Sequence, residues 1–464
     1  MENALGPPQT GHASYGEVRS PSPVWLVNLT SMFLGMCVLA PFNAMVYSIE
    51  YFRDAFRGTV LEQTFASGLI MTFNIVAVIC TVLATMSGSK KQTTPSLQIQ
   101  RTLQAFLGVN VMMLGSILVL DISAIHHPYL YFLFLLFSCV ISAMLQSYLQ
   151  SATMNFCTRL DIGGNVLSYM LLGQALNGAL GSVVNLISSW IAAQYGTHTR
   201  TSTHYLQNSR ATTAVYLWTL FLQCLALGLL QTTLRDPVVK GRIEAWMSQS
   251  YDASTEDENS PWSRIVAVQK RIVPWSASIF GLFLVTLTVY PGLTSRVRTL
   301  THVPWLQNPS VFVAWHLVAM NMGDLVGRRL PLLLPWLNVR NSRIAVGITL
   351  VRGLFLPAIL ACHVRPDQTK SFSDITFFAL VFSLGLTTGL LSTSFLVSGS
   401  QSVHDSSGVC PEDVMLLNVQ QESQMPNVWA DEDAATASMI LAFWLVCGLA
   451  SGAFASLVAN VIMG

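Results

Sequence analysis

The stretch "VWLVNLTSMFLGMCVLAPFNAMVYS" runs from Val24 to Ser48 without an Asp, Glu, Lys or Arg. A helix rises about 1.5 Å per residue, so a segment of this length crosses the roughly 30 Å hydrocarbon core of a bilayer. Lipid offers no water to satisfy backbone polar groups, so a spanning segment of this kind must be a helix. The preceding "MENALGPPQTGHASYGEVRSPSP" is polar and rich in Pro, Gly and Ser. It lacks the charged-then-apolar order of a cleaved signal, so it reads as a disordered cytosolic tail, residues 1–23, before a retained signal anchor.

Outward from that span, apolar stretches of similar length recur to the end of the 464-residue chain. Only 10% of residues are charged and 52% are hydrophobic, where soluble domains carry about 25% charged residues. The expectation is an all-α polytopic membrane protein with eleven spans, roughly 24–48, 63–86, 102–123, 128–156, 165–193, 212–234, 273–293, 310–330, 344–363, 373–398 and 435–462. A net charge of +1 gives no reason to expect a nucleic-acid partner. The eight cysteines are scattered, mostly in apolar segments and without CxxC spacing, and read as small buried hydrophobes rather than metal ligands.

Lys and Arg divide unequally between the loops, 14 against 8 when Arg328 and Arg352 are left within spans. The richer side includes Lys90, Lys91, Arg101, Arg340 and Arg343, which predicts a cytosolic N-terminus and, with an odd number of spans, an extracellular C-terminus. The chain then divides into an N-terminal bundle (24–234), a cytosolic linker (235–272) containing "STEDENS", and a C-terminal bundle (273–464) with a polar cytosolic loop at 399–433. Within that loop "EDVMLL" has the acidic-x-x-x-Leu-Leu form of an endosomal sorting signal, a pattern short enough to arise often by chance. The Asn28-Leu29-Thr30 glycosylation pattern opens the first helix at the cytosolic side and is rejected as an acceptor. Small residues at helical spacing, Gly448, Gly452 and Ser456 in the last span and Gly178, Gly181 and Ser182 in the fifth, read as close helix packing.

The costly residues lie in "AMNMGDLVGRRLPLL", Ala319 to Leu333. Asp324 and Arg328 are separated by about 40° around a helix, and Asn321 lies within about 60° of both, so the three share a face. A charge at membrane depth survives when it is paired or faces water. Two readings stand: a self-neutralising ion pair with Arg328 drifting to the interface, or a polar patch where the acid accepts hydrogen bonds from a hydroxylated solute. Gln146, in "ISAMLQSYLQ", carries donors and acceptors suited to a planar heterocycle, or it bridges helices. Asn43, after Pro41 and Phe42, is read as satisfying the carbonyl that the proline frees. Arg352 is read as snorkelling from a cytosolic helix end, and His316 as a bundle contact. Paired intramembrane aspartates, a G-x-S-x-G elbow, a P-loop and HExxH are missing from the sequence, so an enzyme is not expected.

These motifs together resemble the equilibrative nucleoside transporter family (solute carrier family 29). "NMGDLVGRRL" is similar to its Asn-x-x-Asp-x-x-Gly-Arg signature at Asn321, Asp324, Gly327 and Arg328. The first span resembles the family's Pro-Trp-Asn opening helix, with Phe42 standing where the family has tryptophan. Gln146 falls at the family's fourth-helix "LQ". "LLGQALNGALGS" resembles its Gly-Gln-x-x-x-Gly fifth helix, "VRGLFLPAILACH" the ninth and "DEDAATASMILAFWLVCGLASGA" the last. The resemblance covers residues 24 to 464.

It implies a six-plus-five helix arrangement similar to the major facilitator fold and equilibrative transport of nucleosides, with nucleobases as a further substrate class, by alternating access and without a cofactor. It assigns Asp324 and Arg328 to the ribose, Gln146 to the base, Leu39 and Phe42 to the pocket beside it, and Asn321 to supporting the acid. The implied partners are a small-molecule nucleoside and the lipid bilayer, with no obligate protein partner. The implied location is the plasma membrane, with an endolysosomal membrane as the alternative. A sugar or polyol carrier and a non-transporting membrane scaffold or receptor remain competing readings.

Overall fold

The computed structural model describes residues 24–54, 56, 58–88, 95–119, 127–160, 165–195, 202–244, 261–301, 306–307, 309–362, 372–403 and 428–462. The N-terminal tail, the acidic part of the linker and the "EDVMLL" pattern lie outside them. The described residues are helical almost throughout. The long helices are α1 (Val24–Tyr47), α2 (Leu61–Gly88), α3 (Pro95–Val119), α4 (Pro128–Arg159), α5 (Val166–Tyr195), α6 (Ser202–Arg235), α7 (Pro261–Val289) and α8 (Pro309–Leu333). They continue with α9 (Ser342–Leu360), α10 (Asp374–Gln401) and α11 (Val428–Ile462).

Among the described residues nine helices are long and apolar enough to cross a membrane, which makes this an integral multi-pass membrane protein. Helices α2 and α8 fall outside that set. A shorter apolar stretch, Gly68–Ala84, lies within α2. Helix α8 is diluted by Asn321, Asp324, Arg328 and Arg329. Both occupy places where the sequence predicts spans.

Several boundaries differ from the sequence reading: α3 begins at Pro95 where 102 is expected, α6 at Ser202 where 212 is expected and α11 at Val428 where 435 is expected. Helix α7 begins at Pro261, well before the expected span at 273, because proline at the first helical position lacks only an N–H that would be orphaned anyway. Helix α9 is not continuous. It runs Ser342–Val351, tightens to a 3-10 turn at Arg352–Leu354 and resumes at Phe355–Leu360. Pro357 sits one turn beyond the break, where its ring crowds the carbonyl four residues earlier.

Glycines set the closest helix contacts. A Cβ on Gly35 would strike the Met170 carbonyl oxygen and one on Gly173 that of Met32, so α1 and α5 touch backbone to backbone. The α8–α10 seam does this four times. Cβ atoms on Gly323 and Gly327 would strike the carbonyls of Phe382 and Leu386, and on Gly385 and Gly389 those of Met320 and Asp324. Gly448 and Gly452 bring α11 against Phe280 and Leu284 of α7, as their spacing predicts. Helix α1 is also tied to α6 by the Thr30–Thr233 hydroxyl bond of 2.7 Å. Helices α1 to α6 meet the rest of the chain where α5 packs on α8 and where α11 packs on α2 and α4.

Candidate functional site

The site starts from an acid fixed in a backbone seam. The α8 backbone at Asp324 is held against Gly385 and Gly389 of α10. Arg328, one turn on, donates from Nε to Asp324 Oδ2 at 3.1 Å, with the two side chains 8% and 14% exposed. Arg328 Nη1 also donates to the Leu171 carbonyl of α5 at 3.1 Å. Arg328 is therefore buried in the bundle and does not drift outward, while its neighbour Arg329 is exposed. The other carboxylate oxygen, Asp324 Oδ1, is buried without a hydrogen-bond partner. An unpaired carboxylate oxygen in the interior is costly and is a ready acceptor.

Asn321 shares this face, but it does not support the acid as the resemblance implies. Its Nδ2 donates to the Leu317 carbonyl at 2.9 Å, and Tyr290, just beyond the end of α7, brings its hydroxyl to the Asn321 side chain. The reason is reach: a short amide on a helix finds the carbonyl four residues back more easily than a side chain three residues ahead. Across the gap, Gly178 of α5 leaves the room that Asn321 Oδ1 occupies, 2.8 Å from where a Cβ would lie. The Tyr47 ring of α1 fills the matching place at Gly181.

Arg352 is a correction to the snorkelling expectation. It is 3% exposed and sits at the 3-10 turn in the middle of α9, at a depth of roughly 15 Å from Ser342. Its Nη1 donates to Thr387 Oγ1, and its Nη2 to Thr286 Oγ1 at 3.0 Å and Thr388 Oγ1 at 2.9 Å. The guanidinium lies over the Phe355 ring, 5.5 Å from its centroid. Asp324 and Arg352 are close enough to interact electrostatically. One buried carboxylate thus faces two buried guanidiniums. His316 is a bundle contact, as expected, with Nε2 3.3 Å from Thr294 Oγ1 and its ring edge-on to Tyr290 and Phe377.

The remaining expected residues lie on α1 and α4. Phe42 and Leu39 are half-buried, and the Phe42 ring rests on Phe73 of α2 at 4.4 Å between centroids, tilted by 40°. Gln146 is half-buried on α4 and its Oε1 has no partner. Helix α5 connects the two groups, touching Asn321, Arg328 and Tyr47 on one flank while Gln174 Nε2 donates to Gln150 Oε1 of α4 at 2.7 Å. Tyr47, Tyr290, Thr286, Thr387, Thr388 and Arg352 were not assigned to the site from sequence. For Arg352 the signal was there: ten residues into an apolar segment is mid-membrane depth, not an end.

The chain is a multi-pass helical membrane protein with a buried, partly unsatisfied charge cluster between its helices. The family model described as "Nucleoside transporter" matches residues 138–409, and the chain belongs to that family. It is 20% identical over 375 residues to equilibrative nucleotide transporter 8 of Arabidopsis thaliana, covering 80% of this chain and 86% of that one. Equilibrative nucleotide transporter 1 of the same plant is 21% identical over 429 residues, covering 90% and 82%. Equilibrative nucleoside transporter 1 of Homo sapiens is 24% identical over 226 residues, covering 48% and 43%. Among solved structures, the proton:xylose symporter XylE bound to 6-bromo-6-deoxy-D-glucose superposes with a TM-score of 0.48 at 12% identity, covering 92% of this chain and 94% of that one. The protein is thus a membrane transporter of a small solute.

Proposed function

We propose that this chain carries nucleosides across a membrane by facilitated diffusion. The observation that carries this reading is Asp324, with Oδ2 held by Arg328 and Oδ1 buried and unpartnered. Vicinal hydroxyls of a ribose would satisfy that oxygen and strengthen a charge-assisted contact. Asp324 and Arg328 are then the ribose-binding pair, Gln146 reads the base, and Leu39 and Phe42 line its apolar side. Asn321 and Tyr290 shape the wall beside the acid.

Helices α2 and α8 cross the membrane with the other nine, giving eleven spans in six-helix and five-helix bundles similar to the major facilitator arrangement. Alternating access is rocking of the two bundles around this site. The α5–α8 and α2/α4–α11 contacts are the surfaces that open and close. The N-terminus is cytosolic, the C-terminus extracellular, and the membrane is the plasma membrane.

The test is uptake of labelled adenosine and uridine into proteoliposomes holding the purified chain, competed with unlabelled nucleosides and with glucose. Entry blocked by nucleosides and not by glucose is expected, together with its loss in Asp324→Ala. If glucose competes and nucleosides do not, a sugar carrier is the better reading. If nothing enters, the scaffold reading is.

A further inference from the structure

We propose that Asn177 on α5 joins Gln146 on α4 as a matched donor–acceptor pair that reads a heterocycle edge presenting an N–H beside a carbonyl oxygen. This inference rests on the nucleoside reading and adds a second base-recognising side chain to it. Asn177 falls at one of the unspecified positions of the Gly-Gln-x-x-x-Gly pattern, so the family resemblance gives it no role.

The geometry begins from the Gln174–Gln150 bond, 2.7 Å long, which fixes where α5 faces α4. The two helices are consecutive in the chain and run antiparallel. Gln146 lies one turn before Gln150, and Asn177 nearly one turn after Gln174. In antiparallel helices those opposite steps move both residues the same way along the bundle, by about 6 Å and about 4.5 Å. Their rotations, about 40° and 60° from the bridging glutamines, also carry both to the same side of the bridge. That is the side on which α1 packs, through Gly173 against Met32 and Gly35 against Met170. Half-buried Leu39 and Phe42 belong to that helix.

Both side chains are unsatisfied there, and in opposite senses. Gln146 Oε1 is a buried acceptor without a donor, and Asn177 Nδ2 a buried donor without an acceptor, with Asn177 only 5% exposed. Asn110 and Asn321 turn Nδ2 back to the carbonyl four residues earlier, at 3.0 and 2.9 Å. Asn177 does not make that bond. A buried donor and a buried acceptor left open at one level on facing helices fit a ligand that supplies the complement of both. A lactam edge does so: its N–H meets Gln146 Oε1 and its carbonyl oxygen meets Asn177 Nδ2.

The test is equilibrium binding of inosine and of purine riboside to the full chain in lipid nanodiscs. Purine riboside has the same sugar and ring but lacks the 6-oxygen and the N1 hydrogen. Wild type is expected to bind inosine about tenfold tighter or more, the effect of leaving buried partners open. Asn177→Leu is expected to keep purine riboside binding and to reduce the preference to about twofold or less. Should Asn177→Leu bind neither compound, Asn177→Ser is judged by the same ratio. An unchanged ratio in a variant that still binds purine riboside overturns the inference, as does equal binding of the two compounds by wild type. Loss of purine riboside binding in both variants would make Asn177 a packing residue and also overturns it. Wild type binding neither compound would take down the nucleoside reading itself, which separates the two failures.

Discussion

Arg328 reaches out of its own helix to the backbone carbonyl of Leu171, 3.1 Å away on α5, while the same guanidinium holds Asp324 at 3.1 Å. A planar fork can serve two acceptors on two helices, which a single ammonium cannot do with the same geometry. Arg328→Lys is therefore expected to fold and to lose most uptake. Arg328→Ala removes the ion-pair hydrogen bond of Asp324, whose other carboxylate oxygen has no partner, about 3–5 kcal/mol of destabilisation, and is expected to lower the melting temperature as well. Initial uptake rates and melting curves of the two variants separate these effects. Near-normal uptake by the lysine variant would refute the shared-fork account.

The α8–α10 seam makes a prediction about stability that owes nothing to substrate. A Cβ on Gly389 would strike the Asp324 carbonyl oxygen, and backbone cannot step aside as a flexible side chain can. Gly389→Ala is expected to cost about 2 kcal/mol or more, read as loss of monodisperse protein on size-exclusion chromatography. Gly347 is the control. Nothing lies within 4 Å of the place its Cβ would occupy, so Gly347→Ala should be neutral or stabilise α9 by up to about 1 kcal/mol. Equal behaviour of the two variants would contradict the interlocked seam.

The helical class, the order of the long helices and the Asp324–Arg328 pair were legible in the sequence because helix length and helical spacing are local properties. Gly323 and Gly327 were equally visible, yet the Phe382 and Leu386 backbones they meet lie in another span, and only packing joins them. The same holds for Asn321. Its place on the acid's face follows from spacing, but its choice of the Leu317 carbonyl and Tyr290 does not. Asn177 went unread because an asparagine in a small-residue helix carries no sign of whether its amide will find a partner.

Under the nucleoside reading proposed above, Phe42 is the ring beside the base. The resemblance places it where the family has tryptophan, and its ring is half-buried against Phe73 at 4.4 Å. Phe42→Trp enlarges the stacking face, an effect of about 0.5–1.5 kcal/mol for a well-placed ring. The expected outcome is a rise of a few-fold in apparent affinity for adenosine relative to uridine, measured by competition in proteoliposomes. An equal shift for both nucleosides would place Phe42 in the packing of α1 on α2 and away from the base.

Arg352 separates transport from stability. Its three threonine partners keep their own backbone bonds without it, Thr286 to Leu282 at 2.7 Å, Thr388 to Leu384 at 2.6 Å and Thr387 to Ser383 at 2.8 Å. Removing the guanidinium therefore strands no donor, and because Arg328 still pairs Asp324 it takes away the surplus cation without leaving an uncompensated buried charge. Arg352→Met is expected to melt at or above the wild-type temperature. It is also expected to lose most transport, because Asp324 loses the second of the two cations that surround it. Coupling to the acid should appear in a double-mutant cycle: once Asp324→Asn has removed the carboxylate, adding Arg352→Met should change nucleoside binding little. A residue that only snorkelled would give the opposite pattern, full uptake in Arg352→Met and additive effects in the pair.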